Sequence, residues 1–149
     1  MSRMNAWLLD FGGSCQAAVG TRELLHLVDM PATFAVPCTP GYCGRVVLRQ
    51  ERLLPLMDIA VRRGGASRTT SFLGVVGYQQ QRGEYPQFGA LALAAPPRQL
   101  AVTDDQACRL PEADSAWREL AISCFEHQGM PIPVLNLNRI FGSTQNLQE

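Results

Sequence analysis

Short apolar runs bounded by Gly, Pro and charged clusters recur along the chain, while a helical period is weak almost everywhere. Trp7-Leu8-Leu9-Asp10-Phe11 places Trp7, Leu9 and Phe11 on one face, the alternation of a half-buried strand. Gly12-Gly13 predicts a hairpin turn into a second strand over 15–19. Further strands are predicted at 45–49, 53–57, 72–78, 88–94 and 100–102. Residues 22–28 suit a helix or a strand equally and end before Met30-Pro31. The span 31–41, with three prolines, reads as an irregular connection. Gln79-Gln80-Gln81-Arg82-Gly83 reads as an exposed hairpin tip, and the acid-rich span 104–115 as a surface loop. The chain is predicted to be mainly β.

The sequence also repeats. A shift of 78 positions lays Leu54-Pro55-Leu56-Met57-Asp58-Ile59 over Ile132-Pro133-Val134-Leu135-Asn136-Leu137. It also lays Val47 over Phe125, Gln50 over Gln128 and Gly64 over Gly142. Each copy reads as a strand, a polar turn (Gln50-Glu51-Arg52 or His127-Gln128-Gly129) and a second strand that contains a proline. Proline removes a ladder donor, so Pro55 and Pro133 are expected at an edge or a bend. Asp58 and Asn136 follow as helix N-caps, whose side-chain oxygens accept from the orphan amides of a first turn. A short arginine-containing helical turn follows in each copy, over 59–63 and 137–141, and Gly64 or Gly142 is expected to close it. The repeat predicts two related β subdomains, centred near 44–64 and 122–142.

Composition narrows the chemistry. A chain of 149 residues, 46% hydrophobic, suits one domain or two small subdomains sharing a core. All 13 basic residues are arginine, which excludes a Walker-type phosphate loop, a Schiff-base lysine and a lysine general base. His26 and His127 are too few for a histidine-rich metal cage. The 13 acidic residues balance the 13 basic ones, which argues against nucleic acid as a partner. Ala6-Trp7-Leu8-Leu9, broken by Asp10, is too short for a membrane span or a signal core. Cys15, Cys38, Cys43, Cys108 and Cys124 are odd in number and scattered, as in a reducing cytoplasm. Cys38 and Cys43 lack the second close pair that a zinc site needs. The expectation is a cytoplasmic binding module with no cofactor, no metal, no direct membrane insertion and no catalysis.

Gly44-Arg45-Val46-Val47-Leu48-Arg49, followed by Leu53-Leu54-Pro55-Leu56-Met57-Asp58-Ile59, resembles the signature of CheW-like domains. In that family a glycine and a short strand ending in Asn-Leu-Arg-Gly precede an apolar strand ending in Pro-hydrophobic-hydrophobic-Asp-Leu. Gly89 and its apolar run resemble the family's central strand; 117–125, His127-Gln128-Gly129 and 132–141 resemble its closing hairpin and helix. The resemblance covers 5–142 and leaves 1–4 and 143–149 as tails. It implies two SH3-like five-stranded β-barrels with short helices and a shared hydrophobic junction. It also implies a non-catalytic adaptor that couples chemoreceptors to a CheA-type histidine kinase. The implied partners are the regulatory domain of the kinase and the cytoplasmic tip of the receptor, in membrane-associated arrays.

The sequence departs from the family at several points. Val47 replaces the asparagine, Gln50 replaces the glycine, and one extra residue separates Arg49 from Pro55. Ala90-Leu91-Ala92-Leu93-Ala94 carries no acidic residue, and Glu23 stands one position out of register. These changes imply a divergent member from a specialised, for example pilus-linked, chemosensory system. The alternative is an SH3-like interaction module serving another signalling or pilus-assembly partner without a kinase.

The resemblance makes Arg49 the first candidate for protein binding. Its planar fork can pair with a carboxylate of a partner or of its own fold. Val46 and Leu48 alternate with Arg45, Val47 and Arg49, so one of these faces is core and the other is available for contact. Gly44 is expected to allow a close approach or a positive φ before the strand. Gly44, Val46, Leu48 and Arg49 are thus the candidate binding residues; Pro55, Asp58, Pro133 and Asn136 shape the fold. Trp7 and Trp117, flanked by apolar strand residues, are expected to pack in the core.

Overall fold

The computed structural model describes residues 3–37, 39, 43–65, 69–79, 83–110 and 116–145. The first sheet is five-stranded: β10 (Ala121–His127), β11 (Met130–Leu135), β2 (Cys15–Gly20), β1 (Arg3–Gly12) and β9 (Ala95–Thr103), in that spatial order. The second runs β3 (Leu24–Asp29), β7 (Phe72–Tyr78), β8 (Gln87–Leu93), β6 (Arg52–Met57), β5 (Arg45–Arg49) and β4 (Thr33–Ala35). Three short helices accompany them: α1 (Ile59–Arg62), α2 (Trp117–Leu120) and α3 (Leu137–Gln145). The chain is mainly β, as predicted, and the ambiguous 22–28 segment is a strand.

Both sheets curl back through one continuous piece of chain. β3 and β4, at opposite ends of the second sheet, are separated only by Met30, Pro31 and Ala32. Counted as one bent strand, they give the expected five. In the first sheet the chain leaves β9 through a 3-10 turn at Asp104–Gln106 and returns to β10, where Ala107 bridges Phe125. The predicted surface loop therefore begins as a seam of the sheet; residues 111–115 lie outside the described residues, as do 80–82 of the glutamine-rich tip. β9 is longer than predicted because its prolines, Pro96 and Pro97, sit on an edge strand where the register with β1 shifts.

The 78-residue repeat is carried into the register. Val46, Val47, Leu48 and Arg49 oppose Pro55, Leu54, Leu53 and Arg52; Cys124, Phe125, Glu126 and His127 oppose Pro133, Ile132, Pro131 and Met130. The parallel contacts match too, Leu56 with Ala90 and Val134 with Ala18.

Each sheet has its own core, and a third core lies between them. Val47, Leu54, Leu56, Leu73, Val75, Ala90 and Ala92 fill the second sheet. Leu8, Ala18, Phe125 and Ile132 fill the first. The shared cluster takes Leu9, Phe11 and Val19 from one side, Val76, Leu91 and Leu93 from the other, and the buried faces of all three helices. Strands β1, β2, β7 and β8 thus bury both faces, which is why they read as nearly unbroken apolar runs. Trp117 is buried in this junction, under the guanidinium of Arg63 at 5.9 Å, and half-buried Trp7 packs against it.

The caps join the halves. The Val61 amide donates to Asp58 Oδ1 at 3.2 Å, and the Arg139 amide to Asn136 Oδ1 at 3.3 Å. Arg62 Nη1 donates to the carbonyl of Ile140, its own repeat equivalent, at 2.7 Å. Gly64, at φ 101°, closes α1 in a Schellman motif, with Gly64 N–H on Val61 O and Gly65 N–H on Ala60 O, both at 2.9 Å. Gly142 does not close α3, which continues to Gln145. The motif in the first copy uses a second glycine: a Cβ at Gly65 would stand 3.0 Å from Ala60 O. The second copy has Ser143 there.

Candidate protein-interaction site

The β5–β6 hairpin organises the site. Arg49 and Arg52 face each other across a two-residue turn, Gln50-Glu51, with φ of 50° and 67°. Left-handed backbone at both central residues is the type I′ geometry, which matches the twist of the flanking strands and ordinarily takes Asn-Gly. The second copy follows that preference more closely, with Gln128-Gly129 at 52° and 77°. The expected three-residue turn is thereby corrected: Arg52 belongs to β6.

This register decides which side chains share a face. Leu48 stands opposite Leu53, while Val46 stands between Pro55 and Phe34. Phe34, Leu48 and Leu53 are 51%, 55% and 65% exposed. Val46 is 9% exposed, in the ladder between Phe34 and Pro55. The same face of β6 continues to Met57, which is fully buried in the junction. The first sheet covers that end and leaves the hairpin end bare. At the equivalent positions of the second copy stand Glu126 and Pro131.

Arg49 alternates with Leu48 and so lies on the other face, at the mouth of the second sheet's core. There a cavity of about 360 Å³ is lined by His26, Arg49, Arg52, Leu54, Val75 and Phe88. The Arg52 guanidinium lies 5.4 Å from the Phe88 ring centroid. Among the described residues the Arg49 side chain has no hydrogen bond or ion pair, so the internal salt bridge has no counterpart there. By contrast, Arg45 is held by the Thr33 hydroxyl and, at 3.1 Å, by the Thr33 carbonyl. Gly44 is placed just before β5 without the left-handed backbone; its carbonyl accepts from Val36 N–H at 2.8 Å and extends the β4–β5 ladder.

A groove of about 770 Å³ separates the two sheets. Leu25, Tyr78 and Phe88 line it from one side, and Ile122, Leu135 and Leu137 from the other. Tyr78 stacks on Phe141 at 5.6 Å, and burial pushes its hydroxyl up to about 12. Glu23 stands at the rim, where burial raises its carboxyl above the ordinary 4.5 against the opposing effect of the Gly20 N–H, which it accepts at 2.8 Å. Among the described residues no group of three or more His, Cys, Asp or Glu converges to hold a metal, and no helix is long and apolar enough to cross a membrane.

The structure therefore separates the four candidates. Leu48 belongs to an exposed apolar face, Arg49 to a basic cavity behind it, and Val46 and Gly44 to the hairpin's internal structure. Phe34 and Leu53 were missed, although a two-residue turn would have paired Leu48 with Leu53 from sequence. Phe34 lay in a span read as irregular because its prolines mask a three-residue strand.

No protein-family model matches the chain, and comparison with curated proteins finds no relative. Among solved structures it is similar to the scaffolding protein TtCheW from Thermoanaerobacter tengcongensis, with a TM-score of 0.74 at 14% identity. The match covers 94% of this chain and 93% of that one. The fold is CheW-like, with the two sheets and shared junction that the sequence motifs implied.

Proposed function

We propose that the chain is a non-catalytic adaptor that couples chemoreceptors to a CheA-type histidine kinase. The observation that carries this reading is the asymmetry between the two copies of the repeat. One backbone face, in one register, carries exposed Leu48 and Leu53 in the first copy and Glu126 and Pro131 in the second. Folding alone does not require this difference, because the exposed residues add nothing to any of the three cores. An exposed apolar face rimmed by polar groups is the ordinary mark of a protein contact. The fold likeness to a scaffolding protein supports the same conclusion.

In this reading the regulatory domain of the kinase docks on Phe34, Leu48 and Leu53. The groove between the sheets takes the helical cytoplasmic tip of a receptor, an apolar helix face laid into an apolar trough. The Arg49 side chain, without an internal partner among the described residues, pairs with a partner carboxylate at the hairpin tip. The mechanism is geometric: two surfaces on one rigid body fix the distance and orientation of the two partners. The departure at Gln50, exposed in the hairpin turn, fits a specialised, for example pilus-linked, array.

The test is co-sedimentation of a CheA-type kinase from the same organism with receptor-bearing membranes. Added chain should carry the kinase into the pellet, and Leu48→Arg should leave it in the supernatant. Kinase that sediments equally without the chain, or never with it, would contradict the coupling role and favour an interaction module with another partner.

A further inference from the structure

Where the first sheet closes on itself, two cysteines meet. Ala107 bridges Phe125 in antiparallel register, so the next residue, Cys108, stands directly opposite Cys124. The Cys108 N–H donates to the Cys124 carbonyl at 3.0 Å, and Gln106 Nε2 donates to the Glu126 carbonyl, also at 3.0 Å. Gln106 is itself fixed by the Thr103 N–H on its side-chain oxygen at 2.8 Å. Three consecutive residues are thus held against β10, and the two sulfurs lie 3.1 Å apart. Directly opposed residues of an antiparallel pair have Cα separations of about 4.5–5.5 Å, inside the range that a disulfide spans. Bond formation needs the sulfurs to approach by about 1 Å, within reach of small side-chain rotations.

We propose that Cys108 and Cys124 form a redox-modifiable dithiol that a low-molecular-weight disulfide oxidises to an intramolecular disulfide. Cys108 is half-buried and Cys124 buried, so the order of events follows from access. The Cys108 thiolate attacks one sulfur of the small disulfide; that S–S bond breaks and one small thiol leaves. Cys124 then gives up its proton and attacks the Cys108 sulfur, forming the internal bond and releasing the second small thiol. Two protein thiols lose two electrons, the small disulfide gains them, and the two thiol protons end on the released thiols. In the reduced pair, burial and the neighbouring Cys108 hold the Cys124 thiol above its ordinary value, so Cys108 is the first to attack. The other described cysteines, Cys15 and Cys43, are both buried and belong to the junction core.

The bond would change the molecule at a defined place. It locks the seam that closes the first sheet and rings the segment 108–124, which contains α2 and feeds Ile122 to the inter-sheet groove.

The experiment is titration of the full chain with oxidised glutathione, followed by intact mass, tryptic mapping and melting. The expected product has lost two hydrogens, with peptides 99–109 and 119–139 joined through Cys108 and Cys124. Its melting temperature should rise by roughly 5–10 °C and fall back on reduction. Cys124→Ser should stop at the first step and hold one glutathione on Cys108; Cys108→Ser should give neither cross-link nor adduct at Cys124. A stable glutathione adduct on wild-type Cys108, a cross-link to another cysteine, an unreactive Cys108, or a lowered melting temperature after cross-linking would each overturn the proposal.

Discussion

Glu51 occupies a left-handed backbone position that a side chain with a β-carbon enters only at a cost, and nothing in the hairpin requires its carboxylate. Glu51→Gly should therefore raise stability by about 1 kcal/mol, read from the denaturant midpoint at unchanged slope. Gly89 is the opposite case, because a Cβ there would stand 2.5 Å from the Phe141 ring. That ring is fully buried and stacked on Tyr78, so it has nowhere to move. Gly89→Ala should cost about 1–3 kcal/mol by overpacking, measured in the same way. Glu23 offers a pH test. Its folded carboxyl holds its proton to higher pH than the unfolded one, so the folded state is favoured at low pH. Stability is lost as pH rises from the ordinary value of 4.5 through the raised folded value. Glu23→Gln keeps an oxygen for the Gly20 N–H but removes that loss. The stability difference, variant minus wild type, should grow as pH rises above the ordinary 4.5 and level off once the folded carboxyl has ionised.

At the scale of elements, the sequence was most legible where local chemistry determines the outcome. Asp58 and Asn136 cap because a side-chain oxygen one residue before a helix meets the same orphan amide in both copies. β5 and β7 fell within their predicted bounds because apolar runs ended at turn residues. The errors came where distant contacts decide. Phe34 is in a strand only because β5 supplies its ladder, and β9 extends through two prolines only because it lies at an edge. The β5–β6 turn was read one residue too long because Gln-Glu does not advertise type I′ geometry. That single residue concealed the pairing of Leu48 with Leu53, and with it the apolar face. Gly142 matches Gly64 in the repeat, yet α3 continues past it to Gln145.

At the scale of the whole molecule, two copies of one supersecondary unit share a core and differ in what they leave outside it. The shared junction makes the body rigid, since Arg62 crosses it to Ile140 and the faces of both sheets meet there. A rigid body with a bare apolar face and an inter-sheet groove is suited to holding two partners in fixed relation. Arg49 sits at the cavity behind the hairpin, so Arg49→Glu should weaken kinase binding with little change in melting temperature. A large loss of thermal stability would instead assign Arg49 to the fold.

The most direct measurement is calorimetric titration of the wild-type chain and Leu53→Arg against the regulatory domain of a CheA-type kinase from the same organism. Leu53 is 65% exposed, so its replacement leaves the three cores intact. Saturable binding by the wild type, with affinity reduced at least about tenfold (1.4 kcal/mol) in the variant, is the predicted result. Equal binding by both proteins would contradict the assignment of the hairpin face as the kinase contact, and binding by neither would contradict the kinase as partner.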